Sequence, residues 1–325
     1  MVDANVMKKT FTVPEIKPLD QYDFNRAKVC ASVRWLLAKS YGSAENVPAD
    51  LREPVLIGQE LQAGVSVLLL SPDLYWRAHS QLHLRGVSQG PGQGPGGVSK
   101  GPGQGPGGVS QGVVQGGDHV ALLQLLASRG HAPRDQDRPV TVEDLQHTPI
   151  KTRAHLALID ALMSLAAMET VGRVKMAAEA EQIGGGSPWE NALLFWVNRL
   201  NQRLRESTED DDDKTQTCTD LQPAQPAIRY RKDKVQSKLT PTFPLVSGVK
   251  DLSNGCAIAA VLHYYCPSRL PLEDVCLKDT MSVADSLYNL QLIRTFCCGT
   301  LQGCCPLAVE DLLYAPPTLH MPLGC

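Results

Sequence analysis

Aromatic residues are scarce in this chain, at 5% of 325 residues, and net charge is nearly absent, at −3. So small a charge gives no electrostatic reason to expect binding to nucleic acid or to a membrane surface. Long apolar runs are missing too. The longest compact one, Val65 to Leu70, is far too short to span a bilayer, so no membrane insertion is expected. Met1 to Thr10 hold no apolar stretch of the kind a secretory signal needs. The expectation is a cytoplasmic chain whose ten cysteines are mostly reduced thiols.

Motifs that carry chemistry are also lacking. There is no G-x-S-x-G, no H-E-x-x-H and no Gly-Lys-Ser/Thr. Carboxylates are scattered over helix surfaces and one acidic run, with no spacing that suits a general acid and base. The pairs Cys297-Cys298 and Cys304-Cys305 invite a zinc reading. Zinc sites use spaced cysteines, however, and adjacent positions at a helix end point about 100° apart. No histidine sits at a useful spacing, and His320 is isolated. Gly92 to Gly97 looks superficially like a phosphate loop, but it follows no strand and contains proline. Neither cofactor nor metal nor catalytic residue is expected, and the chain does not read as an enzyme.

What is present is helical patterning. Phe24, Ala27, Ala31, Trp35 and Ala38 line one face of a helix predicted over 20–41, with Asp20 as its cap and Gly42 as its stop. Ser71-Pro72 opens a second helix. Then comes a low-complexity block: Gly86 to Gly117 holds 14 of the 27 glycines, and Gly90 to Lys100 recurs almost unchanged as Gly101 to Gln111. With scarcely an aliphatic side chain, it cannot offset its ordering entropy by burial and reads as a disordered insertion. Helical pattern resumes with Asp118 as a cap, then Val120, Leu122, Leu123 and Leu126, with Gly130 as a stop. Thr148-Pro149 opens a helix with Leu156, Ile159, Leu162, Met163 and Ala166 on one face. Arg173 to Gln182 reads as a short polar helix, and Gly184-Gly185-Gly186 marks a boundary. Ser187-Pro188-Trp189-Glu190 is a capping box that starts another helix. The acidic run Glu209 to Asp213 and the polar sequence after it read as a loop.

Three segments of the last third read together. They are Trp189 to Asn198, with its Leu-Phe-Trp-Val-Asn; Val249 to His263, with Asp251-Leu252-Ser253-Asn254-Gly255 leading an apolar helix; and Ser282 to Tyr314, with Asn289-Leu290-Gln291-Leu292 and Glu310-Asp311-Leu312-Leu313. In this order they resemble a calponin-homology domain, a protein-binding module of cytoskeletal proteins. The resemblance implies that Trp196, Leu252, Gly255, Leu262, Leu287, Leu290, Leu292 and Leu312 are structural core residues. It also implies that Asp251 caps the central helix.

The resemblance extends further. Tyr22-Asp23-Phe24, Arg34 to Lys39, the helix from Thr148 to Met168 and Ser282 to Asn289 are similar to the amino-terminal region of the calmodulin-regulated spectrin-associated proteins. It covers most of 17–320 apart from the Gly/Pro block. It implies a protein of the non-centrosomal microtubule network, in a family that caps and stabilises microtubule minus ends and contacts spectrin and calmodulin. The coiled coils and the minus-end-binding CKK domain of that family are not found in these residues.

The expected architecture is all-α. It comprises an amino-terminal helical region over 1–85, the insertion over 86–117, a continuation of the helical region over 118–183, a calponin-homology domain over 187–317 with a disordered loop near 206–228, and a tail over 318–325. The expected function is non-catalytic binding on the microtubule cytoskeleton. Arg229, Arg231, Lys232, Lys234 and Lys238 form a candidate partner-binding patch for acidic surfaces such as tubulin tails, or else a solvated loop beside an acidic one. Actin is the alternative partner, since many calponin-homology domains bind it, especially in tandem. Only one such domain is visible at this level.

Overall fold

The structure is a computed structural model that describes residue 11 and residues 16–84, 117–172, 188–216, 243, 245–278, 280–300 and 308–314. The Gly/Pro block up to Gly116, the stretch 173–182 and the basic patch from Arg229 to Lys238 lie outside the described residues. The described residues are mostly helical, as expected. Two compact units are distinguished. One is Asn25–Glu169, and the other is Thr170–Leu319 taken together with residues up to Phe24.

The first unit is built from α1 (Phe24–Ser40), α2 (Ala49–Arg52), the hairpin of β1 (Leu56–Ile57) and β2 (Glu60–Leu61), α3 (Ala63–Leu69), α4 (Pro72–Leu84), α5 (His119–Ser128), the hairpin of β3 (Arg134–Asp135) and β4 (Arg138–Pro139), α6 (Val142–Gln146) and α7 (Thr152–Gly172). Both hairpins are antiparallel, pairing Leu56 with Leu61 and Arg134 with Pro139. α1 starts at Phe24, later than expected, because Asp20 lies in a separate 3-10 turn, Leu19–Gln21. Its buried face is Ala27, Ala31, Trp35 and Ala38, while Phe24 is 37% exposed. Gly42 follows the helix at φ +82°, a backbone region open to glycine without strain.

α5 shows how a polar residue replaces an expected apolar one. Asp118 Oδ1 accepts from Ala121 N–H at 2.8 Å, so the cap is where the sequence put it. The inward face is His119, Leu122 and Leu126, and Val120 is exposed. Burying Leu122 and Leu126 stabilises the unit by about 1.5–3 kcal/mol each. α7 begins at Thr152 rather than at Thr148, because the Lys151 carbonyl takes the first helical hydrogen bond, from Ala154 N–H at 2.9 Å. Lys151 Nζ is also held by Asp144 at 2.8 Å. That carboxylate closes a capping box with Thr141. The Lys151 ammonium and the Thr141 donors hold the Asp144 carboxyl far below the usual carboxylate range.

The core of this unit contains a polar cluster. Tyr75 on α4 is fully buried, and its hydroxyl hydrogen-bonds with His155 Nδ1 of α7 at 2.8 Å. The His119 ring lies 6.3 Å from that of Tyr75. The Nε2 atom of His119 is buried with no hydrogen-bond partner. Burial pushes His155 down to about 4, helped by His119 and opposed by the Leu145 backbone. Burial also lowers His119, against the pull of Asp118.

The second unit is built from α8 (Pro188–Gln216), α9 (Cys256–Tyr265), α10 (Val283–Thr300) and α11 (Val309–Tyr314), with 3-10 turns at Val249–Asn254 and Leu272–Asp274. α8 runs through the acidic segment that reads as a loop. Once nucleated, a helix extends at little cost per residue, and no glycine or proline interrupts the sequence before Pro223.

Candidate functional site

The carboxy-terminal unit is a set of helices locked by buried polar contacts. Asp251 Oδ2 accepts from the backbone N–H groups of Ser247 (2.9 Å) and Gly248 (3.0 Å). It therefore caps the 3-10 turn rather than the central helix α9, which corrects the expectation. α9 starts one turn later, where Asn254 Oδ1 accepts from Cys256 N–H at 2.9 Å. Gly255 joins the two at φ +73°, and a Cβ there would come within 2.8 Å of Asn289 Cβ. Glycine is thus required twice over, by backbone conformation and by the close approach of α10.

Asn289, on α10, is completely buried. Its Oδ1 accepts from Cys276 N–H at 2.9 Å, and its Nδ2 donates to the Cys276 carbonyl at 2.9 Å. One side chain thereby satisfies both backbone groups of a loop residue. Tyr288 adds a bond from its hydroxyl to the Asp274 carbonyl at 2.8 Å. At the start of α10, Ser282 and Asp285 cap each other's backbone N–H groups, and Lys278 Nζ sits 2.9 Å from Asp285 Oδ1. Burial raises the Asp285 carboxyl, but Lys278 and Ser282 outweigh it and bring it down to about 2. Burial pushes the thiols of Cys256 and Cys276 up to about 11 and about 12, so neither is a nucleophile at neutral pH.

The residues that the resemblance places in the core fall into two groups. Leu252, Leu287, Leu290, Leu292 and Leu312 are buried, and Gly255 is enclosed. Trp196 and Leu262 are only half-buried. The Trp196 ring stacks on Tyr265, with centroids 6.1 Å apart, and its Nε1–H donates to the Tyr265 hydroxyl at 3.3 Å. Val283, which the periodicity puts on the inner face of α10, is 63% exposed because it occupies the first helical turn. Cys297 is buried and Cys298 exposed, while Cys304 and Cys305 lie outside the described residues. Among the described residues no cluster of three or more His, Cys, Asp or Glu side chains is arranged to hold a metal. No described helix is long and apolar enough to cross a membrane.

One part of this unit was not legible in the sequence. Residues before α1 pack on α10 and α11. The Tyr22 hydroxyl donates to Asp311 Oδ1 at 2.6 Å in a buried bond. Lys17 N–H donates to Glu310 Oε1 at 2.9 Å, and the Tyr314 hydroxyl donates to the Lys17 carbonyl. Tyr22 and Tyr314 rings lie 4.7 Å apart, and Phe11 sits 5.6 Å from Tyr288. Burial, reinforced by Asp311, pushes the Tyr22 phenol far above its usual value. A sequence separation of 289 residues leaves no local signal for such a contact.

Comparison with known proteins places this geometry. A family model for the CAMSAP CH domain matches residues 234–316. One for the CAMSAP2-like, calponin-homology domain matches 13–94 and 109–169. Human calmodulin-regulated spectrin-associated protein 3 is 43% identical over 98% of this chain. The chain belongs to the calmodulin-regulated spectrin-associated protein family. The mouse family member calmodulin-regulated spectrin-associated protein 2 is 39% identical over 98% of the chain, and the human member 1 is 36% identical over 94%. The chain spans 23%, 21% and 18% of the lengths of these three relatives. No solved structure matches. The sequence pattern showed a calponin-homology likeness only in the last third. The family comparison extends that likeness to the amino-terminal unit, whose motifs are weaker and are interrupted by the Gly/Pro block.

Proposed function

We propose that this chain is a non-catalytic binding module of the cytoskeleton, working as the amino-terminal part of a protein that binds and stabilises microtubule minus ends and organises non-centrosomal microtubules. The supporting observation is identity of 36–43% to three family members along nearly the whole chain. The relatives' names point to spectrin and calmodulin as partners, and the reading places the chain in the cytoplasm on the microtubule cytoskeleton. Arg229, Arg231, Lys232, Lys234 and Lys238 supply a basic segment suited to acidic tubulin surfaces. A high lysine and arginine density makes such a contact salt-sensitive.

The second reading is an actin-binding adaptor. Calponin-homology likeness on both units favours it, since tandem domains of this kind often bind actin. Paired co-sedimentation of the purified chain with microtubules and with filamentous actin, at low and moderate salt, separates the two. The expected result is microtubule pelleting that weakens with salt and is lost when the five basic residues are changed to glutamate. Pelleting with actin alone sinks the microtubule reading, and pelleting with neither sinks both.

A further inference from the structure

The carboxy-terminal unit exposes an ordered ridge of aromatic and cationic side chains. It is formed where the middle of α8 crosses the end of α9. Tyr265 is 58% exposed and Tyr264 is 36% exposed, in a chain with few aromatic residues. Their rings meet edge to face at 5.3 Å, and Trp196 stacks on Tyr265 from α8. Arg203, one turn beyond Arg199 on α8, donates from Nη1 to the Tyr264 hydroxyl at 3.4 Å. Arg199 and Arg203 are both exposed.

The hydrogen bonds of this ridge have one polarity. Each tyrosine hydroxyl already accepts from its neighbour, Tyr265 from the Trp196 indole and Tyr264 from the Arg203 guanidinium. Each phenol keeps its O–H to offer outward as a donor. The two guanidinium groups carry only N–H donors. Glu206, the nearby carboxylate on α8, is engaged by Gln202 Nε2 at 2.9 Å. The surface therefore presents hydroxyl and guanidinium donors, the two arginine charges and fixed aromatic faces. Its mutual stacking also lowers the entropy lost on binding.

We infer that this ridge is a docking site for an acidic peptide carrying an aromatic or aliphatic anchor, whose carboxylates meet Arg199, Arg203 and the two hydroxyls while the anchor covers the rings. Charge complementarity selects the occupant. The segment of this chain that follows α8 is rich in arginine and lysine from Arg229 to Lys238, so it carries the wrong sign. The acidic run Glu209 to Asp213 belongs to the same helix as the arginines and cannot fold back on them. The assignment stands on this surface alone and does not rest on the filament partner proposed above.

The test uses the full chain labelled with nitrogen-15. Its four tryptophans give four indole cross-peaks, and Trp196→Phe assigns one of them. The probe is the peptide Glu-Glu-Phe-Glu-Glu, with Lys-Lys-Phe-Lys-Lys as control. The acidic peptide is expected to shift the Trp196 cross-peak, more weakly as salt rises from about 0.05 M to about 0.5 M. In Arg199→Ala/Arg203→Ala the apparent Kd is expected to rise about tenfold or more, while Arg199→Lys/Arg203→Lys retains most binding. Thermal melting of each variant separates lost binding from lost folding, and Tyr264→Phe/Tyr265→Phe, which removes only the hydroxyls, is expected to weaken binding as well. No shift at about 1 mM peptide, an equal shift with the basic peptide, or undiminished binding by the alanine variant overturns the inference. So does a response to phosphatidylserine vesicles without one to the peptide, or a Trp196 shift that depends only on protein concentration, which marks a second copy as the occupant.

Discussion

Asn289 illustrates how one residue holds the carboxy-terminal unit in register. It bonds to both the N–H and the carbonyl of Cys276, deep in the interior, and shares the carbonyl with the Cys256 thiol. Truncation leaves the buried Cys276 N–H without its side-chain partner, at about 1–3 kcal/mol, and removes one of two donors to the carbonyl, at about 0.5–1.5 kcal/mol. Asn289→Ala is expected to lower unfolding free energy by about 2–4 kcal/mol, read from urea denaturation. Asn289→Asp, which keeps the size but removes the donor, is expected to be no better tolerated. A loss below about 0.5 kcal/mol in the alanine variant contradicts the role. The sequence presents Asn289 only as part of an Asn-Leu-Gln-Leu pattern. A polar residue that serves a loop thirteen positions away has no periodicity to betray it.

Among elements, helices were the most legible part of the fold, because their signals are local. Asp118, Gly42 and Gly130 mark the ends they were expected to mark, and Pro72 and Pro188 stand at first helical positions. Start sites drifted where a neighbouring group took over the capping, as Lys151 does for α7 and Asn254 for α9. The two hairpins escaped notice because strands of two residues are too short for alternation to show. The ridge of Trp196, Tyr264 and Tyr265 escaped it because aromatic residues at helical spacing usually lie inside. The segment before α1 was equally hidden, and it carries a prediction. Tyr22→Phe removes the hydroxyl that Asp311 accepts from, leaving a buried carboxylate short of a donor. The carboxy-terminal unit is expected to lose about 1.5–3 kcal/mol, and removal of residues 1–23 is expected to cost more. Protection of α11 amides from hydrogen exchange is the readout, and unchanged protection in both variants refutes the packing described.

At the scale of the molecule, the two units answer acid differently. His155 is held at about 4 and His119 is also lowered, both mainly by burial within the amino-terminal unit. A histidine whose folded pKa lies below its unfolded value near 6.5 binds a proton more readily when unfolded. Its contribution is therefore full above pH 6.5 and is lost as pH falls toward 4. For His155 alone the loss is at most about 3 kcal/mol. In the carboxy-terminal unit, Asp285 is held at about 2, so its contribution persists through that window. With Trp189→Phe/Trp196→Phe, fluorescence reports on Trp35 and Trp76 of the amino-terminal unit. Its urea midpoint is expected to fall between pH 7 and 4.5, and a flat midpoint rules out the buried histidines as its cause. The contact of Tyr22 with Asp311 has a consequence in time. During synthesis the tyrosine emerges first, and its acceptor follows 289 residues later. At ~5–20 residues per second that is a wait of roughly 15–60 s on the ribosome. Through that interval the aromatic segment has no permanent seat and is open to chaperones, so a helix translated 289 residues later decides when it comes to rest.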